Sequence, residues 1–205
     1  PKETPANTQR GTWPDGVLPA TPLQQGMVFL SGYDQDAPDI YTMQLVLRVD
    51  GVVDADRLKA AAQQVMDLHP ALRAGFDQRD GEVVQVIAED VQVDWAIRQV
   101  STVDEAERVA VAERARRFDL ATPPLVRFLL LRLPDGHRLV VTNHHTILDG
   151  WSVPLLAREL FATYAGIEPT IPDGYVGYLE WLAGKDTKAA EDAWTTAMAG
   201  VDGPT

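Results

Sequence analysis

From Leu18 onward the chain alternates between two hydrophobic periods, and the switches between them mark its elements. Pro22 opens a short helix through Leu30, since proline at the first helical position gives up only an amide that would be unpaired anyway. In residues 41–50, YTMQLVLRVD, positions Met43, Leu45, Leu47 and Val49 oppose Gln44, Val46, Arg48 and Asp50, which predicts a strand with one buried face. From Asp54 to His69 the apolar residues Leu58, Ala61, Ala62, Val65, Met66 and Leu68 repeat at helical spacing, with Asp54 or Asp56 as cap. Pro70 ends that helix, and Leu72–Asp77 with Glu82–Ile87 predicts a hairpin around Arg79, Asp80 and Gly81. A short strand is expected over residues 91–97. Ser101 with Asp104 and Thr102 with Glu105 form overlapping capping boxes at the head of a helix reaching toward Phe118. Leu125–Leu133 and Arg138–His144 are dense strands joined by a turn containing Asp135-Gly136, a strong hairpin signal. Helices are predicted over 152–165, 174–184 and 188–199. The mixture predicts an α+β domain.

Composition narrows what such a domain does. Of 205 residues, 45% are hydrophobic and 23% charged, which is an ordinary globular balance. Eighteen Lys or Arg against thirty Asp or Glu leave a net charge of -12, which works against DNA or an anionic membrane as a partner. The absence of Cys excludes a disulfide scaffold, a thiolate zinc site and a cysteine nucleophile, and is compatible with a reducing cytoplasm. The most apolar run, Leu125–Leu133, is too short to span a bilayer and contains Arg127 and Arg132. Residues 1–17 have the Pro- and Gly-rich polar composition of a linker, and the lack of an initiator Met predicts a piece of something longer.

Generic patterning ends at Thr142-Asn143-His144-His145-Thr146-Ile147-Leu148-Asp149-Gly150-Trp151-Ser152. Four fixed residues at this spacing, His144, His145, Asp149 and Gly150, arise by chance in fewer than roughly one in a hundred chains of this length, given Gly at about 7% and the others no commoner. Adjacent strand residues point to opposite faces, so one histidine packs inward while the other is left to face a channel. Asp149 and Gly150 suit a tight strand-to-helix connection that fixes the histidine loop.

This segment resembles the HHxxxDG motif of the chloramphenicol-acetyltransferase-like superfamily, and specifically condensation domains of nonribosomal peptide synthetases. Leu18–Phe29, LPATPLQQGMVF, is similar to that family's first core motif; His69–Phe76, HPALRAGF, to the second; His144–Ser152 to the third; Tyr175–Trp181, YVGYLEW, to the fourth. The first motif and the bulky Ile147-Leu148 further resemble the subtype whose donor ends in a D-residue. The resemblance implies a chloramphenicol-acetyltransferase-like αβ sandwich, one lobe of a two-lobed domain. Residues 1–17 are then a linker, 18–187 the N-terminal lobe, and 188–205 the start of the hinge and second lobe.

The implied reaction joins the amine of a carrier-bound acceptor to the thioester of a carrier-bound donor. The 4′-phosphopantetheine arms belong to the partner carrier domains, so the domain itself is expected to need neither cofactor nor metal. His145 is the expected catalytic residue. His144, Asp149, Gly150 and Arg73 are expected to support it, with Arg73 as a candidate ion-pair partner of Asp149 and Gly150 meeting a backbone requirement. Trp151, expected to pack, and Ser152, a candidate helix cap, are also substrate-channel candidates. The Arg114, Arg116 and Arg117 cluster reads as a solvated helix face. The partners implied are donor and acceptor carriers and the second lobe, with no nucleic acid and no membrane; the fragment alone is expected to be inactive. Related alternatives are an epimerization domain or a free-standing acetyltransferase, although a helical tail of 205 minus 150, or 55, residues follows Gly150 where the acetyltransferases end. A noncatalytic condensation-like recruitment module is an alternative of another class, disfavoured by the intact motif.

Overall fold

The densest hydrophobic strands pair at the centre of the larger sheet. The computed structural model describes residues 16–33, 37–169, 174–201 and 203. Those up to 169 form one compact unit and those from 174 a second. In the first, β2 (Thr42–Val49), β7 (Gly136–His144), β6 (Val126–Leu133) and β5 (Asp94–Gln99) form a four-stranded sheet in the order β2-β7-β6-β5. β7 runs antiparallel to both neighbours, whereas β5 and β6 are parallel. The link between β5 and β6 is α3 (Val103–Ala115), as a parallel crossover requires.

Strand alternation explains why β6 reads as a continuous apolar run. Val126 and Phe128, with Leu139 and Val141 of β7, pack against Leu58, Val65 and Met66 of α2 (Ala55–Leu68) and Leu156 and Leu160 of α4 (Ser152–Tyr164). Leu129, Leu131 and Leu133, with Val140, face Ala106, Val109 and Ala110 of α3. The central strands are therefore covered on both sides, the sandwich arrangement that the resemblance implies. A smaller sheet, β1 (Val17–Pro19), β4 (Glu82–Ile87) and β3 (Ala74–Arg79), encloses a third core of Ala20, Phe76 and Leu125.

The local chemistry follows the caps and turns. Asp54 caps α2 by accepting from the Arg57 N–H, and Thr102 caps α3 by accepting from the Glu105 N–H. α1 (Pro22–Tyr33) starts at a reciprocal box in which Thr21 N–H donates to the Gln24 side chain at 2.9 Å and Gln24 N–H donates to Thr21 Oγ1 at 3.3 Å. The β3–β4 hairpin turns on Asp80 and Gly81 at φ 52° and 86°. In the second motif, a Cβ on Gly75 would lie 2.9 Å from the Ala121 carbonyl oxygen, so glycine there is a packing requirement. The expected 91–97 strand begins later, at Asp94. Of the expected 1–17 linker, residues 1–15 lie outside the described ones, and Val17 already belongs to β1. The second unit carries α5 (Tyr175–Ala183) and α6 (Thr187–Ala197); on α5, Tyr178 stacks between Tyr175 and Trp181. Among the described residues no helix is long and apolar enough to cross a membrane.

Candidate active site

The two histidines emerge where β7 ends. His144, the last residue of the strand, follows Val140 and Thr142 toward the α3 side, and its side chain is 0% exposed. Thr146 turns its N–H toward His144 Nδ1 at 3.2 Å and its hydroxyl at 2.8 Å. A backbone N–H can only donate, so Nδ1 is the acceptor and the network assigns the ring proton to Nε2. Nε2 faces Ser31 Oγ at 3.1 Å and Asp39 Oδ2 at 3.3 Å. Burial holds the His144 ring below the usual histidine pKa, against the opposing pull of Asp39, while the neighbouring His145 and Arg117 push the same way as burial. His144 is thus packed and hydrogen-bonded at the strand end.

That direction fixes a pH dependence. Below the ordinary value of 6.5 the unfolded chain takes up a proton that the folded ring refuses, so His144 makes stability fall as pH drops below 6.5, with no penalty above it. Melting temperatures are expected to decline between pH 7 and 5.5, and His144→Asn is expected to flatten that decline. An equal slope in the variant would show that other groups set it.

His145 is oriented differently. Its N–H donates to the Tyr41 carbonyl at 2.9 Å, and its ring Nδ1 lies 2.8 Å from the Leu148 carbonyl oxygen. A carbonyl can only accept, so Nδ1 carries the proton and Nε2 keeps its lone pair. The ring is half-buried, with the loop's own backbone selecting the tautomer in which Nε2 can take a proton. Gln24 anchors the same loop from α1: its Nε2 donates to the Thr146 carbonyl at 2.9 Å and to Gln85 Oε1 at 3.3 Å. Leu148 is buried in the main core, and the half-buried Ile147 packs against both it and the third core.

Several supporting residues differ from expectation. Asp149 does not pair with Arg73. It is exposed, and Oδ1 accepts from Ser152 N–H at 2.8 Å, Ser152 Oγ at 2.7 Å and Trp151 N–H at 3.1 Å. These bonds, the Ser152 hydroxyl foremost, hold its carboxyl below the usual range. Asp149, rather than Ser152, thus satisfies the free amides heading α4, and its removal costs about 1 kcal/mol as a lost cap. Arg73 donates instead to the carbonyls of Ala88 at 2.5 Å and Glu89 at 3.4 Å, tying the second motif to the segment after β4. Gly150 has no left-handed φ, and a Cβ there would meet nothing within 4 Å, so neither strain nor crowding demands glycine. Trp151 does not pack: it is 86% exposed, beside the half-buried Ser152.

The basic cluster divides: Arg114 and Arg116 are exposed, as a solvated face requires, whereas Arg117 is half-buried. Arg117 donates to the carbonyls of Ala37 at 2.6 Å and Ser31, and Arg127 forms an ion pair with Glu113 at 2.5 Å. Arg116 pairs with the same Glu113 at 2.7 Å. His69, at the end of α2, reaches Glu159 of α4 at 2.5 Å. Sequence reasoning missed Gln24, Ser31, Asp39 and Thr146. Only Gln24 carried a signal, the Thr-x-x-Gln box.

The α+β sandwich, with a central strand that delivers a buried and a half-buried histidine to one Asp-Gly loop, is the fold class that the resemblance implies. Within it, the profile of the condensation-domain family matches residues 15–203, and the chain belongs to that family. It is 36% identical over 207 residues to one of the linear gramicidin synthase proteins of Brevibacillus parabrevis, covering 93% of this chain and 4% of that one. It is 31% identical to bacitracin synthase 3 of Bacillus licheniformis, covering 91% of this chain and 3% of that one. The chain thus spans only a small part of the length of these relatives. Among solved structures, the X-domain in complex with OxyB from teicoplanin biosynthesis superposes with a TM-score of 0.81 at 24% identity, covering 96% of this chain and 46% of that one. The epimerization domain from the third module of tyrocidine synthetase B gives 0.76 at 22%, covering 93% and 46%. At such identities these two likenesses establish the fold.

Proposed function

We propose that this chain is the first lobe of a nonribosomal peptide synthetase condensation domain and contributes His145 to peptide-bond formation. The acceptor amine, held on a downstream carrier, attacks the donor thioester carbonyl; the new C–N bond forms, the C–S bond breaks, and the donor carrier leaves as its thiol. His145 Nε2 takes the proton the amine sheds, and that proton goes on to the departing sulfur. The observation that carries this reading is the Leu148 carbonyl on Nδ1, which leaves Nε2 as the ring's acceptor.

The open space at Gly150 supports passage of a phosphopantetheine arm beside the histidine, and exposed Trp151 with Ser152 supports a channel wall there. The arms are substrates brought by donor and acceptor carriers, and the second lobe closes the channel. The reading places the reaction in the cytoplasm, which suits a chain without cysteine. It also takes the donor to end in a D-residue.

The test loads donor and acceptor carriers of the complete synthetase and follows the acceptor-bound product by mass spectrometry. An amide-linked product, formed faster from a D-ended than an L-ended donor, is expected. No amide with both carriers loaded would overturn the reading, and a preference for L-ended donors would overturn the subtype alone.

A further inference from the structure

Outside the HHxxxDG loop, one buried carboxylate reaches the supports of both histidines. Asp39 lies between α1 and β2, and its side chain is 2% exposed. Oδ1 accepts from the Tyr41 N–H at 2.9 Å and the Ser31 hydroxyl at 3.3 Å. The Tyr41 carbonyl is in turn the seat of the His145 N–H. Oδ2 faces His144 Nε2 at 3.3 Å and Arg117 Nη2 at 3.7 Å, and makes no hydrogen bond of its own.

Withdrawing a carboxylate from water is costly unless its oxygens are paired. A residue needed only to turn the chain before β2 would do so at less cost with its oxygens solvated. Burial here places the charge where it meets Tyr41, whose ring centroid lies 6.2 Å from that of His144, and the His144 imidazole itself. Asp39 falls outside the segments that resemble the family's core motifs.

We propose that Asp39 is a positioning residue for His145: it fixes the Tyr41 peptide on which the His145 backbone hangs and holds the His144 ring alongside. It touches no substrate. The proposal rests on the reading of His145 as proton acceptor. A displacement of about 1 Å at a reacting centre costs roughly 10²-fold in rate, so loosening this seat reads out in turnover rather than in carrier binding.

The experiment measures kcat and KM for loaded donor and acceptor carriers in the intact synthetase, comparing wild type, Asp39→Ala, Asp39→Asn and His145→Ala, with melting curves to count only folded protein. Asn keeps an oxygen for Tyr41 and Ser31 but loses the charge. Asp39→Ala is expected to lower kcat about 10- to 100-fold with both KM values within about twofold. Asp39→Asn is expected to recover at least about threefold of that loss. If Asp39→Ala does not fold, Asp39→Ser is read in its place by the same criteria. Wild-type kcat in the Ala variant while His145→Ala is impaired would overturn the positioning role alone. Equal loss in Asn and Ala variants, or a loss confined to KM, would overturn it too. A wild-type rate in His145→Ala would overturn both readings, since nothing would remain to be positioned.

Discussion

Replacing His145 by Ala in the complete condensation domain is expected to slow amide formation by about 10²- to 10⁴-fold, the range of a positioned proton acceptor. The imidazole has one ring nitrogen tied to Leu148 and the other left with its lone pair, so truncation removes the acceptor while the backbone bond to Tyr41 persists. The upper limit follows from the substrate. An α-amino group has a pKa of about 7.7–8.0, so near pH 7 roughly a tenth is already neutral and can attack unaided. Orientation of two tethered reactants contributes about 7–11 kcal/mol, which the variant retains. Single-turnover rates with loaded carriers give the measurement; a rate within twofold of wild type would remove His145 from the chemistry.

The largest effect on stability is expected at Arg127. Its side chain is 6% exposed and that of Glu113 is 11%, with 2.5 Å between Nε and Oε1. Arg127 also donates to the carbonyls of Glu113 at 3.1 Å and Arg116 at 2.9 Å, and lies over the Phe118 ring at 3.8 Å. Phe118 in turn meets His144 edge-on at 6.3 Å. Arg127→Met breaks this pair and leaves the Arg116 carbonyl and Glu113 Oε1 without their donor, while Arg116 keeps Glu113 Oε2; breaking a buried pair typically costs about 3–5 kcal/mol. For a domain of this size that corresponds to a fall of roughly 6–20 °C in melting temperature. Arg127→Met with Glu113→Gln is expected to recover part of the loss, because the nearly buried carboxylate, then held by Arg116 alone, no longer carries a charge. A single-variant fall below about 2 °C in calorimetry would show that the pair is idle.

Elements built from contiguous residues were legible in the sequence. Asp-Gly turns named both hairpins, and the run from Leu125 to Leu133 announced a dense strand, which the structure buries on both faces. The position of β5 was harder to read because it is an edge strand with only Trp95 half-buried, which leaves little alternation to detect. The motif exposed the histidines but not what holds them. Ser31 and His144 are 113 positions apart and Gln24 and Thr146 are 122 apart, and no local period records such meetings. Arg117 misled because a basic run looks solvated until the carbonyls of Ser31 and Ala37 arrive over it. Asp149 misled in the opposite way: an acidic residue suggested a distant cation, whereas three donors from the next residues satisfy it.

The strand order carries a consequence in time. β7 is the last strand among the described residues, yet it sits between β2 and β6. At ribosomal speeds of about 5–20 residues per second, the 122 positions between Gln24 and Thr146 correspond to roughly 6–24 seconds of synthesis. Through that interval the polar side chains of α1 wait without their loop, and β2, once made, has no neighbour in its sheet until β7 emerges. Insertion of one late strand then completes the sheet and brings both histidines to their supports, so the nascent chain lacks the paired-histidine arrangement until the sheet closes.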